Sequence, residues 1–284
     1  MTTEVLSTTR HPACVVMGLC LLLASGCASV PKLDAGSIET GNALETIRAE
    51  KHRRVEQYID SDQVSTINRI ALPNVIVGEG AFQKLITPRQ ALIVANNAAR
   101  SFCSELAPYV VLMPASTVGT AQANITIDRI QSTSSGAAGL SSLMGLAVPG
   151  PFRLPVGLGA LSAEAELVNA QLQQVFYIRW ARGTNAISND AKVSAIGDSW
   201  QIARKFGEEV AETIIGNDKD RTGSQRNKLE LPQIESNREL CNTTYGRLNV
   251  AARGASLFLP LSPETIDPGP PDQQRILAQD AAID

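Results

Sequence analysis

Only two histidines, His11 and His52, stand in a chain of 284 residues. A Ser–His–Asp relay or a histidine-bearing zinc site therefore has almost nothing to be built from. His52 sits among Lys51, Arg53 and Arg54 and reads as solvated surface. The cysteines are Cys14, Cys20, Cys27, Cys103 and Cys241. A thiol nucleophile needs a base beside it, which this chain does not offer from histidine. Glu164 and Glu166 are two positions apart in a strand-like stretch, so they share a face. Glycoside hydrolysis needs two carboxyls opposed across a cleft, so this pair reads as solvated surface. Asp128 with Arg129 and Asp190 with Lys192 read the same way. Gly157-Leu158-Gly159 lacks the third glycine of a dinucleotide fingerprint and leads into a strand rather than a helix. Its small residues suit a bulge or a close backbone approach. The expectation is no catalytic set, no metal site and no cofactor, with a hydrolase working by carboxylates alone kept as an alternative.

Cys27 has a different chemistry in prospect. Residues 1–26 read as a signal peptide: Arg10 and the amino terminus precede an apolar run from Ala13 to Leu23, and Ala24-Ser25-Gly26 supplies small residues. Eleven apolar residues are too few to span a bilayer, which takes about 20. Leu23-Ala24-Ser25-Gly26-Cys27 resembles the lipobox of bacterial lipoproteins, which implies lipidation at Cys27 and cleavage before it. Two or three acyl chains anchor stably where one does not. Ala28 follows, where lipoproteins kept in the inner membrane carry Asp, so the resemblance implies an outer-membrane anchor facing the periplasm. Processing leaves Cys103 and Cys241 as the remaining cysteines. In an oxidising compartment they are expected to form a structural bridge, with two free thiols as the alternative.

The elements that would carry these residues follow from pattern. Residues 27–66 read as a tether followed by a helix from Ala43 to about Tyr58, in which Arg48, Lys51, Arg53 and Arg54 alternate with Glu45, Glu50 and Glu56. Such mixed charge suits a solvated face, or a contact with an anionic membrane. The domain proper is expected over 67–217. Arg69–Val77 is β-rich, with Pro73 at an edge or bulge. Thr87-Pro88-Arg89-Gln90 has the form of a capping box with proline at the first helical position. The helix it starts runs to Pro108. Strands are expected at 109–113, 123–130, 161–168 and 172–180, the last two as a hairpin. Asp198-Ser199-Trp200-Gln201 repeats the capping logic for a second helix, closed by Gly216. This order predicts an α+β domain: a two-layer sandwich, with a mainly antiparallel sheet and two helices on one face, plus the N-terminal helix and an extended tail. The tail, 218–284, is proline-rich and ends acidic, with Glu264, Asp267, Asp272, Asp280 and Asp284 against Arg275 alone. The net charge of the whole chain is −3, so residues 27–259 are close to neutral and lack the basic footprint of a nucleic-acid binder.

From Arg69 to Ile215 the chain resembles uncharacterised periplasmic lipoproteins of Gram-negative bacteria, whose domain is of unknown function. The resemblance lies in Gly157-Leu-Gly-Ala-Leu-Ser-Ala-Glu-Ala-Glu-Leu, the hairpin after it, Asp190-Ala-Lys-Val and the Trp200 helix. It implies a cell-envelope location and no particular chemistry. The remaining feature is 136–159, a glycine- and proline-rich stretch with Arg153 as its one charge, carrying Leu140, Leu143, Met144, Leu146, Phe152 and Leu154. A loop this long is often functional. It reads as a cover over the chain's own sheet, as a surface for an envelope partner, a lipid or self-association, or as a disordered segment. The functional expectation is a non-enzymatic envelope lipoprotein, structural or accessory in role. A lipid- or glycan-handling subunit of an envelope machine is the alternative.

Overall fold

Alternation in the sequence becomes a seven-stranded sheet. The computed structural model describes residues 33, 36–82, 85–115, 117, 119–133, 159–184, 194–216, 226–249, 251–252, 261–267 and 269. In chain order the elements are β1 (Glu45–Glu50), β2 (Arg53–Ile59), α1 (Ser61–Thr66), β3 (Arg69–Val77), a 3-10 turn (Glu79–Ala81), α2 (Pro88–Leu106), β4 (Val111–Met113), β5 (Ala121–Gln131), β6 (Ala160–Val168), β7 (Gln174–Gly183), α3 (Gly197–Ile215), α4 (Leu231–Tyr245) and α5 (Pro263–Ile266). The fold is mixed α/β, with strand order β1-β2-β7-β6-β5-β3-β4. β3 pairs in parallel with β4 and β5, and the other neighbours are antiparallel. The register slips between Ala71 and Asn74, the bulge that Pro73 requires because it lacks an N–H.

Register separates the two faces. Ala163 opposes Trp180, Ala165 opposes Ile178 and Leu167 opposes Phe176; Glu164 and Arg179 point the other way. The first set is buried and receives the helices. Trp180 meets Phe206 of α3 with ring centroids 5.4 Å apart, and its indole N–H donates to Glu209 at 2.9 Å. α3 packs in turn on α2 through Gly207, where an added Cβ would lie 2.8 Å from the Phe102 backbone nitrogen. α2 starts on the expected capping box, with the Gln90 N–H donating to the Thr87 hydroxyl and the Thr87 N–H to the Gln90 side chain.

Three expectations are corrected. The stretch read as an N-terminal helix is the β1–β2 hairpin, which adds two strands to the sheet upstream of residue 67. Its charged residues favour helix, but Val55 and Ile59 are strand-spaced with Gln57 and pair against Trp180, Phe176 and Ile178; packing outweighs propensity. α3 begins at Gly197 after Ile196, so Asp198 does not cap it. The segment read as an extended tail contains α4, whose Asn237 carboxamide donates to the Ala107 and Val110 carbonyls and accepts from the Leu112 N–H, covering the outer edge of β4.

Cys241 of α4 is bonded to Cys103 of α2, with Cα atoms 5.8 Å apart. Beyond α4, Asp267 is fully buried and forms a two-pronged ion pair with Arg100 of α2, one prong at 3.0 Å. The Trp200 indole and the Gly269 N–H also donate to the Asp267 carboxylate, and Arg100 donates to the Tyr245 carbonyl and to Asn97. The tail is held by this pair, in which both terminal nitrogens of Arg100 and both oxygens of Asp267 are hydrogen-bonded.

Candidate functional site

Glu164 lies on β6, the middle strand of the sheet, on the face away from Trp180. It does share that face with Glu166, but it is not solvated: Glu164 is 2 % exposed. What covers it is the chain's own segment 36–42. The Ile38 N–H donates to the Glu164 carboxylate at 3.0 Å, and the Tyr177 hydroxyl and Ser37 N–H hydrogen-bond it as well. Arg179 Nε stands 4.0 Å away. Gly36 sits directly on this group; a Cβ there would lie 2.6 Å from the Tyr177 oxygen and clash with the Glu164 carboxylate. The rest of the strap is fixed by side chains of the sheet. The Ser37 hydroxyl donates to Asp128 at 3.1 Å and the Thr40 hydroxyl to Gln174 at 2.6 Å. Gln174 donates to Glu166 at 2.8 Å, as does Asn124, so the Glu166 carboxylate is filled from both sides.

Burial drives the Glu164 carboxyl above its ordinary range, against the strap's amide donors and the Arg179 charge. Burial and the neighbouring Glu164 likewise push the Tyr177 hydroxyl up. A buried, protonatable carboxyl beside a phenol and a guanidinium is the kind of group that could serve as a general acid. Here the position a substrate would take against it is occupied by Gly36 and Ser37. The arrangement binds an extended backbone.

A second cluster holds the ends of the apolar stretch. Asp198 is fully buried and accepts from the Gly159 N–H at 2.8 Å and the Thr133 hydroxyl at 3.1 Å. The Ser199 hydroxyl reaches the carbonyls of Gln131 and Ala160. Thr133 and Gly159 are thereby pinned side by side. A Cβ on Gly159 would lie 2.8 Å from both Asp198 and Thr133, which is the close approach that its small size permits. Leu140, Leu143, Met144, Leu146, Phe152 and Leu154 lie outside the described residues, as does Cys27.

The opposite end of the sheet carries an open groove of about 360 Å³ lined by Gln63, Thr66, Asn68, Arg69, Thr120 and Gln171 among others. At its rim the β6–β7 turn holds Leu172 at φ 61°, a left-handed conformation costly for leucine, with the side chain 80 % exposed. His52, read as solvated, is half-buried at the β1–β2 turn, and its carbonyl accepts from the Gly183 N–H. Among the described residues there is no group of three or more metal-ligating side chains, and no helix long and apolar enough to cross a membrane.

Sequence reasoning found the Cys103–Cys241 pair and the two glutamates on one face, and missed the strap. Its only local signal is Gly36 followed by Ser37 and Thr40, residues common in any tether.

No protein-family model and no curated protein matches the chain. Among solved structures it is similar to PelC dodecamers from Paraburkholderia phytofirmans in two crystal forms, each at 12 % identity, covering 57 % of this chain and 96 % of that one, with TM-scores of 0.33 and 0.34. A likeness that distant carries no conclusion about what this chain does.

Proposed function

We propose that this chain is a non-enzymatic lipoprotein of the cell envelope, anchored through Cys27 in the outer membrane, facing the periplasm and serving as a structural or accessory binding component. The anchored domain is then a two-layer sandwich, one face of the sheet covered by α2 and α3. The observation that carries this reading is the Asp198 clamp. Buried Asp198 accepts from the Thr133 hydroxyl and the Gly159 N–H, so the described residues that flank the apolar stretch are held side by side. Burying a large apolar side chain is worth about 1.5–3 kcal/mol, so a few of its leucines are enough for a useful association. The Cys103–Cys241 bond supports an oxidising compartment.

The test pairs anchoring with binding. Cys27→Ser is expected to move the protein to the soluble fraction or leave its signal uncleaved; a membrane-bound protein of normal mature mass defeats the anchor. Leu143→Asp with Leu146→Asp is expected to abolish partner capture or self-association, read by co-purification and by sedimentation, with the melting temperature unchanged. Early melting assigns the stretch to the protein's own cover instead, and unchanged association removes it from binding altogether.

A further inference from the structure

We propose that the face of the sheet carrying the strap is held against the lipid bilayer, so that the helix side of the domain points into the aqueous compartment. This rests on lipidation at Cys27. The strap fixes where the N-terminal segment meets the domain: Gly36 and Ile38 are held over Glu164 on the central strand, on the face opposite α3. Eight residues, and so nine peptide links, separate Gly36 from Cys27. A chain of that length reaches at most about 30 Å.

Consider what the helix side would require. Three strands lie between β6 and either edge of the sheet, a lateral distance of about 14 Å at the usual spacing. Descending past the sheet and one helix adds about 15 Å more. A tether routed to the helix side would thus spend its whole extended length going round the domain before reaching any lipid. Routed from the strap side it needs none of that length. The strap side also leaves Ile76 49 % exposed, in register with Thr126 and Glu164, as an apolar group at the surface the tether would draw to the bilayer.

The experiment uses the full lipidated chain in vesicles of phosphatidylethanolamine and phosphatidylglycerol carrying a nitroxide-labelled lipid as quencher. A fluorophore is placed by Asn74→Cys on the strap face, or by Glu239→Cys on α4, both exposed positions. Lipidated Cys27 and the bonded Cys103–Cys241 pair do not take the label. Quenching at position 74 is expected to exceed that at 239 several-fold. Inserting about twenty Gly and Ser residues after Ala28 is expected to shrink that difference while the protein stays attached, because the tether then reaches round the domain. Equal or reversed quenching in attached protein overturns the orientation; a difference that the long tether leaves unchanged overturns the tether as what holds the face there. Protein that floats free of the vesicles, unquenched at both positions, overturns the anchor itself, and the orientation with it.

Discussion

Glu164 and Glu166 stand two apart on one face of β6 and differ in burial. The strap passes over one and leaves the other half-buried at its side, and nothing within β6 distinguishes them. The consequence is a pH dependence with a definite sign. Burial raises the folded-state pKa of Glu164 above the ordinary 4.5, so the folded protein holds this proton more tightly than the unfolded chain. Its contribution to stability is full below that ordinary value and is lost as pH rises through the folded pKa. A Glu164→Gln variant has no such proton, so its stability relative to wild type is expected to improve as pH rises above about 4.5 and then level off. Urea midpoints for the pair from about pH 4 to pH 8 read this directly; a constant difference refutes it. Gly36→Val tests the strap alone. Its side chain has no room against Glu164 and Tyr177, so the Ile38 amide should lose protection from hydrogen exchange while α2 and α3 keep theirs.

At the scale of elements, the sequence was legible where a local signal and the tertiary need agree. Thr87-Pro88-Arg89-Gln90 starts α2 and Gly216 ends α3 in the left-handed conformation, because capping is satisfied by neighbours in the chain. The β1–β2 hairpin was not legible, because its apolar contacts lie with β7, more than a hundred residues on. α4 was hidden for a related reason: it buries only Ile234, Asn237, Cys241 and Tyr245, too few to set an apolar period. Its place depends on the Cys103–Cys241 bond and on Asn237. In the chain-entropy account, a closed loop of 138 residues is worth up to about 5 kcal/mol. Cys103→Ala with Cys241→Ala should lower the urea midpoint accordingly, and α4 amides should exchange before those of α2. The α2–α3 contact makes a separate demand. A Cβ at Gly207 meets the backbone of Ala98 and Phe102, which cannot step aside as a flexible side chain would. Gly207→Ala is therefore expected to cost about 1–3 kcal/mol in a thermal melt, although alanine is the better helix former.

For the whole molecule, the buried ion pair decides how much chain is needed to make one cooperative unit. Arg100 is 7 % exposed and lies in the middle of α2, where a guanidinium without a partner is costly to bury. Its partner Asp267 comes from beyond α4, and the Tyr245 carbonyl completes the ring of acceptors. Removing one member of such a pair costs about 3–5 kcal/mol, a large share of the 5–15 kcal/mol that holds a typical domain folded. A chain ending at residue 217 would lose Asp267, the Asn237 bonds to β4, the Cys241 bond and the Arg226 contacts to the Val64 and Ile67 carbonyls all at once. The fragment 36–217 is therefore expected to bind a hydrophobic dye and melt without a sharp transition, while 36–269 melts cooperatively near the full chain. Asp267→Asn in the full chain separates the ion pair from the rest of the segment. It keeps α4 and the cysteine bond, removes one charge, and should lower stability by about 3 kcal/mol. A sharp, wild-type-like melt of the short fragment would show that residues past 217 are an appendage; a loss confined to the short fragment, with Asp267→Asn neutral, would place their contribution in α4 instead of the ion pair.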